Sequence, residues 1–207
     1  LADTVTRAEY LDLNKFVMYA EAPGVTTKAR LVWGLRNSEP RISVFIPKSG
    51  DEKAEIISAP LGVYGMMMLL EGMAGMVDAP EDTKAKVDCR TSIRDEDGKT
   101  TKETRVQSEV WYGKDKDGYC WISIVEGDKT RIKFVWSLWD FHVFYHSNGE
   151  KYTGPEGSAL MLKVAVEGLK NAFHSTMTTF SKFGSNKNSN YSKPAAKVDY
   201  ANEDIGF

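Results

Sequence analysis

The chain has 207 residues, enough for one domain with appendages. Its 42% hydrophobic and 27% charged residues fit a soluble globular protein, and no apolar run reaches membrane-spanning length. With 27 basic and 29 acidic side chains the net charge is −2, so the chain is not a uniformly basic nucleic-acid binder. Any anion-binding surface must come from sorting charge between faces.

Cys89 and Cys120 are the only cysteines, so no disulfide framework is expected. The start, Leu1-Ala2-Asp3, lacks the basic-then-apolar pattern of a signal peptide. The cysteine count fits a reducing cytoplasm.

Taken in order, the elements are mostly strands. Residues 11–19 form a first strand. Residues 28–36 and 41–47 alternate with period two and pair across Asn37-Ser38-Glu39-Pro40. Leu61–Val77 is a Met-rich helix ending at Asp78-Ala79-Pro80. Residues 84–94 and 101–112 flank Asp95-Glu96-Asp97-Gly98, and Asp117-Gly118 joins the second of them to 119–126. Strands at 130–137 and 139–146 follow, the last ending at Ser147-Asn148-Gly149. A final helix runs Ser158–Phe183, capped by Ser158, with Leu160, Val164, Leu169, Ala172, Phe173 and Phe180 on one face. The fold class is mainly β (α+β): an OB-like antiparallel barrel or curled sheet with one inserted helix and a C-terminal helix. A β-sandwich is the rival.

Alternation also assigns side chains to faces. Ala29, Leu31, Trp33 and Leu35 point inward, as do Ile42, Val44 and Ile46. Ala85, Val87, Cys89, Thr91 and Ile93 follow, then Val106, Val110 and Tyr112. Cys120, Ile122, Ile124, Ile132, Phe134 and Trp136 complete the inward set. Trp33, Trp136, Trp139, Phe141 and Tyr145 read as core.

The outward set collects eleven cations: Lys28, Arg30, Arg36, Arg41, Lys84, Lys86, Arg90, Arg94, Arg105, Arg131 and Lys133. Three acids share it, Asp88, Glu103 and Glu109, and so do the rings of Phe45, Trp111, Tyr119 and Trp121. Cations track a phosphate backbone, and flat rings accept any base by stacking, so this pairing suits a single strand of DNA without sequence preference. The bland alternative is a solvated, anti-aggregation surface, or rings covered in an oligomer.

No enzymatic or cofactor chemistry is implied. His142, His146 and the two cysteines lack zinc-ligand spacing. Asp95-Glu96-Asp97-Gly98 and Asp115-Lys116-Asp117-Gly118 lack a calcium loop's ligand pattern and read as tight turns. No Gly-Lys-Ser/Thr or nucleophile-elbow motif occurs.

Near Gly184 the composition changes. Residues 1–183 form the body, 184–198 a polar low-complexity linker, and 199–207 an acidic tip without Lys or Arg. About fourteen flexible residues give a reach of roughly 20 Å. The tip ends Asn202-Glu203-Asp204-Ile205-Gly206-Phe207. It resembles the acidic tip of bacterial and phage single-stranded DNA-binding proteins (SSBs), with Gly206 where the bacterial pattern has proline. The body does not resemble a bacterial SSB, so the resemblance is to a divergent, phage-encoded one. It implies a protein of DNA replication, recombination and repair that works in the bacterial host cytoplasm. Glu203, Asp204, Ile205 and Phe207 would then dock partner proteins, the acids steering toward basic surfaces and the ring filling an apolar pocket.

Overall fold

A computed structural model describes residues 13–36, 39–50, 52–138 and 142–178. A short 3-10 turn, Leu13–Phe16, leads into β1 (Met18–Ala20), β2 (Ala29–Arg36), β3 (Glu39–Ile46) and β4 (Glu55–Pro60), then α1 (Gly62–Gly75). The same order returns as β5 (Lys84–Arg94), β6 (Thr100–Lys114), β7 (Cys120–Val125) and β8 (Phe134–Val135), then α2 (Gly154–Thr178). Each half is thus a four-strand antiparallel meander followed by a helix. Two four-stranded sheets result, and among the described residues no ladder of backbone bonds joins them.

One core unites the halves. Leu31, Val44 and Ile57 stand side by side across β2, β3 and β4, and Trp33, Ile42 and Ala59 form the next row. In the second sheet Val110 faces Ile124, and Tyr112, Ile122 and Phe134 make a continuous row. All of these are buried because period-two side chains share one face. α1 adds Met66, Leu69, Leu70 and Met73; α2 adds Leu162, Val166, Leu169 and Phe173 at spacings that keep one helical stripe. Each fully buried aliphatic side chain contributes about 1.5–3 kcal/mol. β4 packs on β6 and β7, β1 lies beside β8, and the helices pack on each other, with Glu71 2.7 Å from Lys170. Gly72 is the point of closest approach to the second sheet: a Cβ there would meet the Tyr112 ring, its Cζ at 3.0 Å. Lys114 donates to the Val77 and Ala79 carbonyls at 2.8 Å each, which ties the segment after α1 to β6.

Three tight turns share one bonding pattern. Gly98, Gly118 and Gly149 each donate to the carbonyl three residues back, and all have φ between 77 and 87°. That conformation costs glycine nothing and other residues energy, which explains the glycine closing each turn. Asp115 adds side-chain bonds from the Asp117 and Tyr119 amides, so these acids serve turns as expected.

Several expected elements shift. The strand at 130–137 shrinks to β8, although Ile132, Phe134 and Trp136 are buried. Among the described residues of 139–146 the strand reduces to an isolated bridge, Tyr145 with Lys151, and Tyr145 is 62% exposed rather than core. Trp139 and Phe141 lie outside the described residues. β4 was not expected.

α2 begins at Gly154, one turn before the cap assigned to Ser158. Thr153 and Glu156 form a capping box there: the Thr153 amide donates to Glu156 Oε2 at 2.8 Å, and the Glu156 amide donates back to Thr153 Oγ1 at 3.4 Å. Ser158 is instead fully buried and accepts the Cys120 amide at 2.8 Å, pinning the helix to β7. Val164, placed on the buried face by sequence, is 57% exposed. Phe180 lies outside the described residues. Among the described residues no helix is long and apolar enough to cross a membrane.

Candidate nucleic-acid interface

The outward face of the first sheet brings together what alternation assigned to it. Tyr19 stands opposite Arg30, Arg30 opposite Phe45, and Phe45 opposite Ile56, a row crossing all four strands. Adjacent strands lie about 4.8 Å apart, so the row spans about 14 Å. The Arg30 guanidinium lies 4.7 Å from the centre of the Phe45 ring. Tyr19 is 63% and Ile56 51% exposed, so both ends of the row are open to solvent.

Val32, Ser43 and Ser58 form the next row, with the two serine hydroxyls 3.1 Å apart, and Gly34, Arg41 and Pro60 the one after. Arg41 is half-buried, and its Nε has no hydrogen-bond partner among the described residues. Arg30 and Arg41 form no ion pair with a described residue, and Lys28 holds Glu21 loosely at 3.5 Å. Arg36 closes β2 opposite Glu39; its side chain is outside the described part.

The outward face of the second sheet carries more rings and cations, and two of its lysines are bound both to a ring and to acids. Lys86, opposite Trp111, lies 5.4 Å from the ring centre, with its ammonium 2.9 Å from Asp88 and 2.6 Å from Glu109. The Trp111 indole N–H donates to the other Glu109 oxygen at 2.8 Å. Lys133 lies 5.5 Å from the centre of the Trp121 ring and 2.6 Å from Asp115. Bonds from Lys86 and then from Trp111 hold the Glu109 carboxyl below the usual carboxylate range, and bonds to Glu109 and Asp88 push the Lys86 ammonium up. For Asp115 burial pulls upward, but the bonds from Lys133 and the Tyr119 amide outweigh it and the carboxyl falls. Arg131 lies near enough to Glu109 to lower it further. Ser123, opposite Trp111, is only 8% exposed although it faces outward.

Two expected placements change. The register slips between Cys89 and Arg90, so that Val106 rather than Gln107 stands opposite Arg90. This bulge puts Val106 on the outward face, 43% exposed, and turns Arg105 to the face of Thr91. Tyr119 precedes β7, and its ring fills the space a side chain on Gly154 would need, so it braces the start of α2. Lys84, Arg90, Arg94 and Arg131 are exposed as expected.

Sequence reading passed over Tyr19 and Ile56. Only the cross-strand register puts them in line with Arg30 and Phe45. Lys129 donates to the Ile56 carbonyl at 3.1 Å, but its ammonium is also held 2.9 Å from Glu126.

The remaining chemistry-bearing groups are sealed or scattered. Cys89 and Cys120 are free and buried, and burial pushes both thiols up, which keeps them protonated and unreactive. Among the described residues no three His, Cys, Asp or Glu side chains gather to hold a metal ion. His146 stacks on Tyr152 at 4.0 Å and lies 3.4 Å from Glu156, clipping the 144–152 ribbon to the start of α2. The linker and the tip, with Glu203, Asp204, Ile205 and Phe207, lie outside the described residues. Set against protein families, curated proteins and solved structures, the chain matches none.

Proposed function

We propose that this chain is a non-enzymatic protein that binds single-stranded DNA without regard to sequence, through the outward face of its first sheet. The observation that carries this reading is the open row Tyr19–Arg30–Phe45–Ile56, in which a guanidinium with no carboxylate partner among the described residues lies over a ring. Arginine planes and aromatic rings both offer π-faces to bases, and a cation left unpaired is available to phosphates. The mainly β body would then present a sheet face to the strand as an OB-like barrel does. Segment 199–207 would recruit proteins of DNA replication, recombination or repair through Glu203, Asp204, Ile205 and Phe207, in the cytoplasm of a bacterial host if the protein is phage-encoded.

The test is fluorescence anisotropy of labelled oligo-dT against a duplex of equal length. Micromolar or tighter binding to the single strand, weakening as salt rises, supports the reading. Equal or absent binding to both overturns it. Deleting 199–207 should leave DNA binding intact and abolish capture of a replication protein.

A second reading has its own observation. Tyr64 and Met68, 82% and 73% exposed, share one stripe of α1 and would suit a protein interface, making the chain an interaction module or a homo-oligomer. Under that reading Tyr64→Ala with Met68→Ala changes sedimentation, and oligo-dT does not bind.

A further inference from the structure

The β5–β6 hairpin outgrows its sheet. β7 pairs with β6 only over Glu109–Lys114, while β5 and β6 continue together to Arg94 and Thr100. Beyond Cys89 and Ser108, which are buried at the root, the hairpin therefore stands as a two-stranded arm about 15 Å long, without a third strand among the described residues on either edge. Its strand residues are mostly exposed on both faces, and only Thr91, Ile93 and Thr101 are half-buried. An isolated two-stranded ribbon is marginal in water, so one of this length carries a cost unless it serves a contact.

Charge along the arm is sorted. The shaft carries Arg90, Arg94, Lys102 and Arg105 against one acid, Glu103. None of these four cations forms an ion pair with a described residue. The acids Asp95, Glu96 and Asp97 are confined to the turn, where Asp95 accepts the Lys99 amide at 2.7 Å and Asp97 lies 3.5 Å from the Lys99 ammonium. The bulge at Cys89/Arg90 puts Arg105 on the face opposite Arg90 and so distributes cations to both sides of the shaft.

We infer that the shaft of this arm is a second contact for the phosphate backbone of the same single strand, lying between its acidic turn and the body; this rests on the first-sheet reading above. Pairing with the arm of a second copy is disfavoured because like charges would meet along both shafts. The contact adds affinity and salt dependence but no base preference, since it offers guanidinium and ammonium groups and no exposed ring.

The experiment compares the full chain with Arg90→Gln/Arg94→Gln/Lys102→Gln/Arg105→Gln in oligo-dT titrations at several salt concentrations. Sedimentation and thermal melting of both proteins run in parallel. All four side chains are exposed, so the melting temperature should not move. Each lost phosphate contact should reduce the slope of log affinity against log salt by about 0.7, so the slope should fall by between about 1.5 and 3, with roughly tenfold or more lost at low salt. If the unaltered chain binds and the variant keeps its slope and affinity, the arm inference is wrong while the first-sheet reading stands. If the variant instead changes sedimentation with DNA affinity unchanged, the arm is a contact between copies. If the unaltered chain does not bind oligo-dT, both readings fall together.

Discussion

The outward faces of the two sheets are built from the same pair, a cation over an aromatic ring, and differ in what completes it. On the first sheet Arg30 lies over Phe45 and no described carboxylate holds it. On the second, Lys86 over Trp111 is held by Glu109 and Asp88, and Lys133 over Trp121 by Asp115. A count of outward cations favours the second sheet. At these cation–ring pairs the partners favour the first: a lysine already bonded to a carboxylate must break that bond to meet a phosphate. A cation lying over a ring is therefore free to meet a phosphate only where no carboxylate already holds it.

The largest effect should come from the open face. Phe45→Ala should cost about 1–3 kcal/mol of oligo-dT affinity, a loss of roughly five- to 150-fold measured by anisotropy. Arg30→Ala should cost less, within about 1 kcal/mol at an exposed site, with a shallower salt dependence. Equal losses from Trp121→Ala would break the contrast between the sheets.

Smaller effects concern the closed face. Glu109→Gln removes one of the two acids holding Lys86, so low-salt affinity for oligo-dT should rise by about two- to threefold. The same carboxylate sets a pH dependence. Its folded value lies below the usual range, so its contribution to stability is complete above the unfolded carboxylate value and fades as pH falls through the lowered one. The difference in melting temperature between Glu109→Gln and the unaltered chain should thus be present at neutral pH and vanish in strong acid. The smallest effect is expected from Lys86→Ala with Lys133→Ala, whose charges are already balanced; DNA affinity should stay within about twofold.

The first hairpin was legible from its period-two apolar residues: Ala29, Leu31, Trp33, Ile42, Val44 and Ile46 are all buried, whereas Leu35, assigned to the same face at the strand's end, is 42% exposed. β4 was not, since Glu55-Ile56-Ile57-Ser58-Ala59-Pro60 places two isoleucines on opposite faces and ends in proline. The start of α2 was in plain view as Thr153-x-x-Glu156, but Ser158 drew the cap by being nearer the apolar run. The bulge that swaps Val106 and Arg105 leaves no mark in composition, because it is fixed by pairing between strands.

The neutralisation of Lys86 and Lys133 was hidden for the same reason. Their principal partners, Glu109 and Asp115, are 23 and 18 residues away in the chain and meet them only through strand register and a turn. Face assignments within a strand follow from sequence up to the first bulge, whereas charge balance on a face needs the neighbouring strands.

The most direct test of where the strand lies is ultraviolet cross-linking of the full chain to oligo-dT, followed by peptide mapping. Cross-links at Tyr19 or Phe45, with the rings of Trp111 and Trp121 left unmodified, are the expected result. Cross-links confined to Trp111 and Trp121 would contradict the placement of DNA on the first sheet.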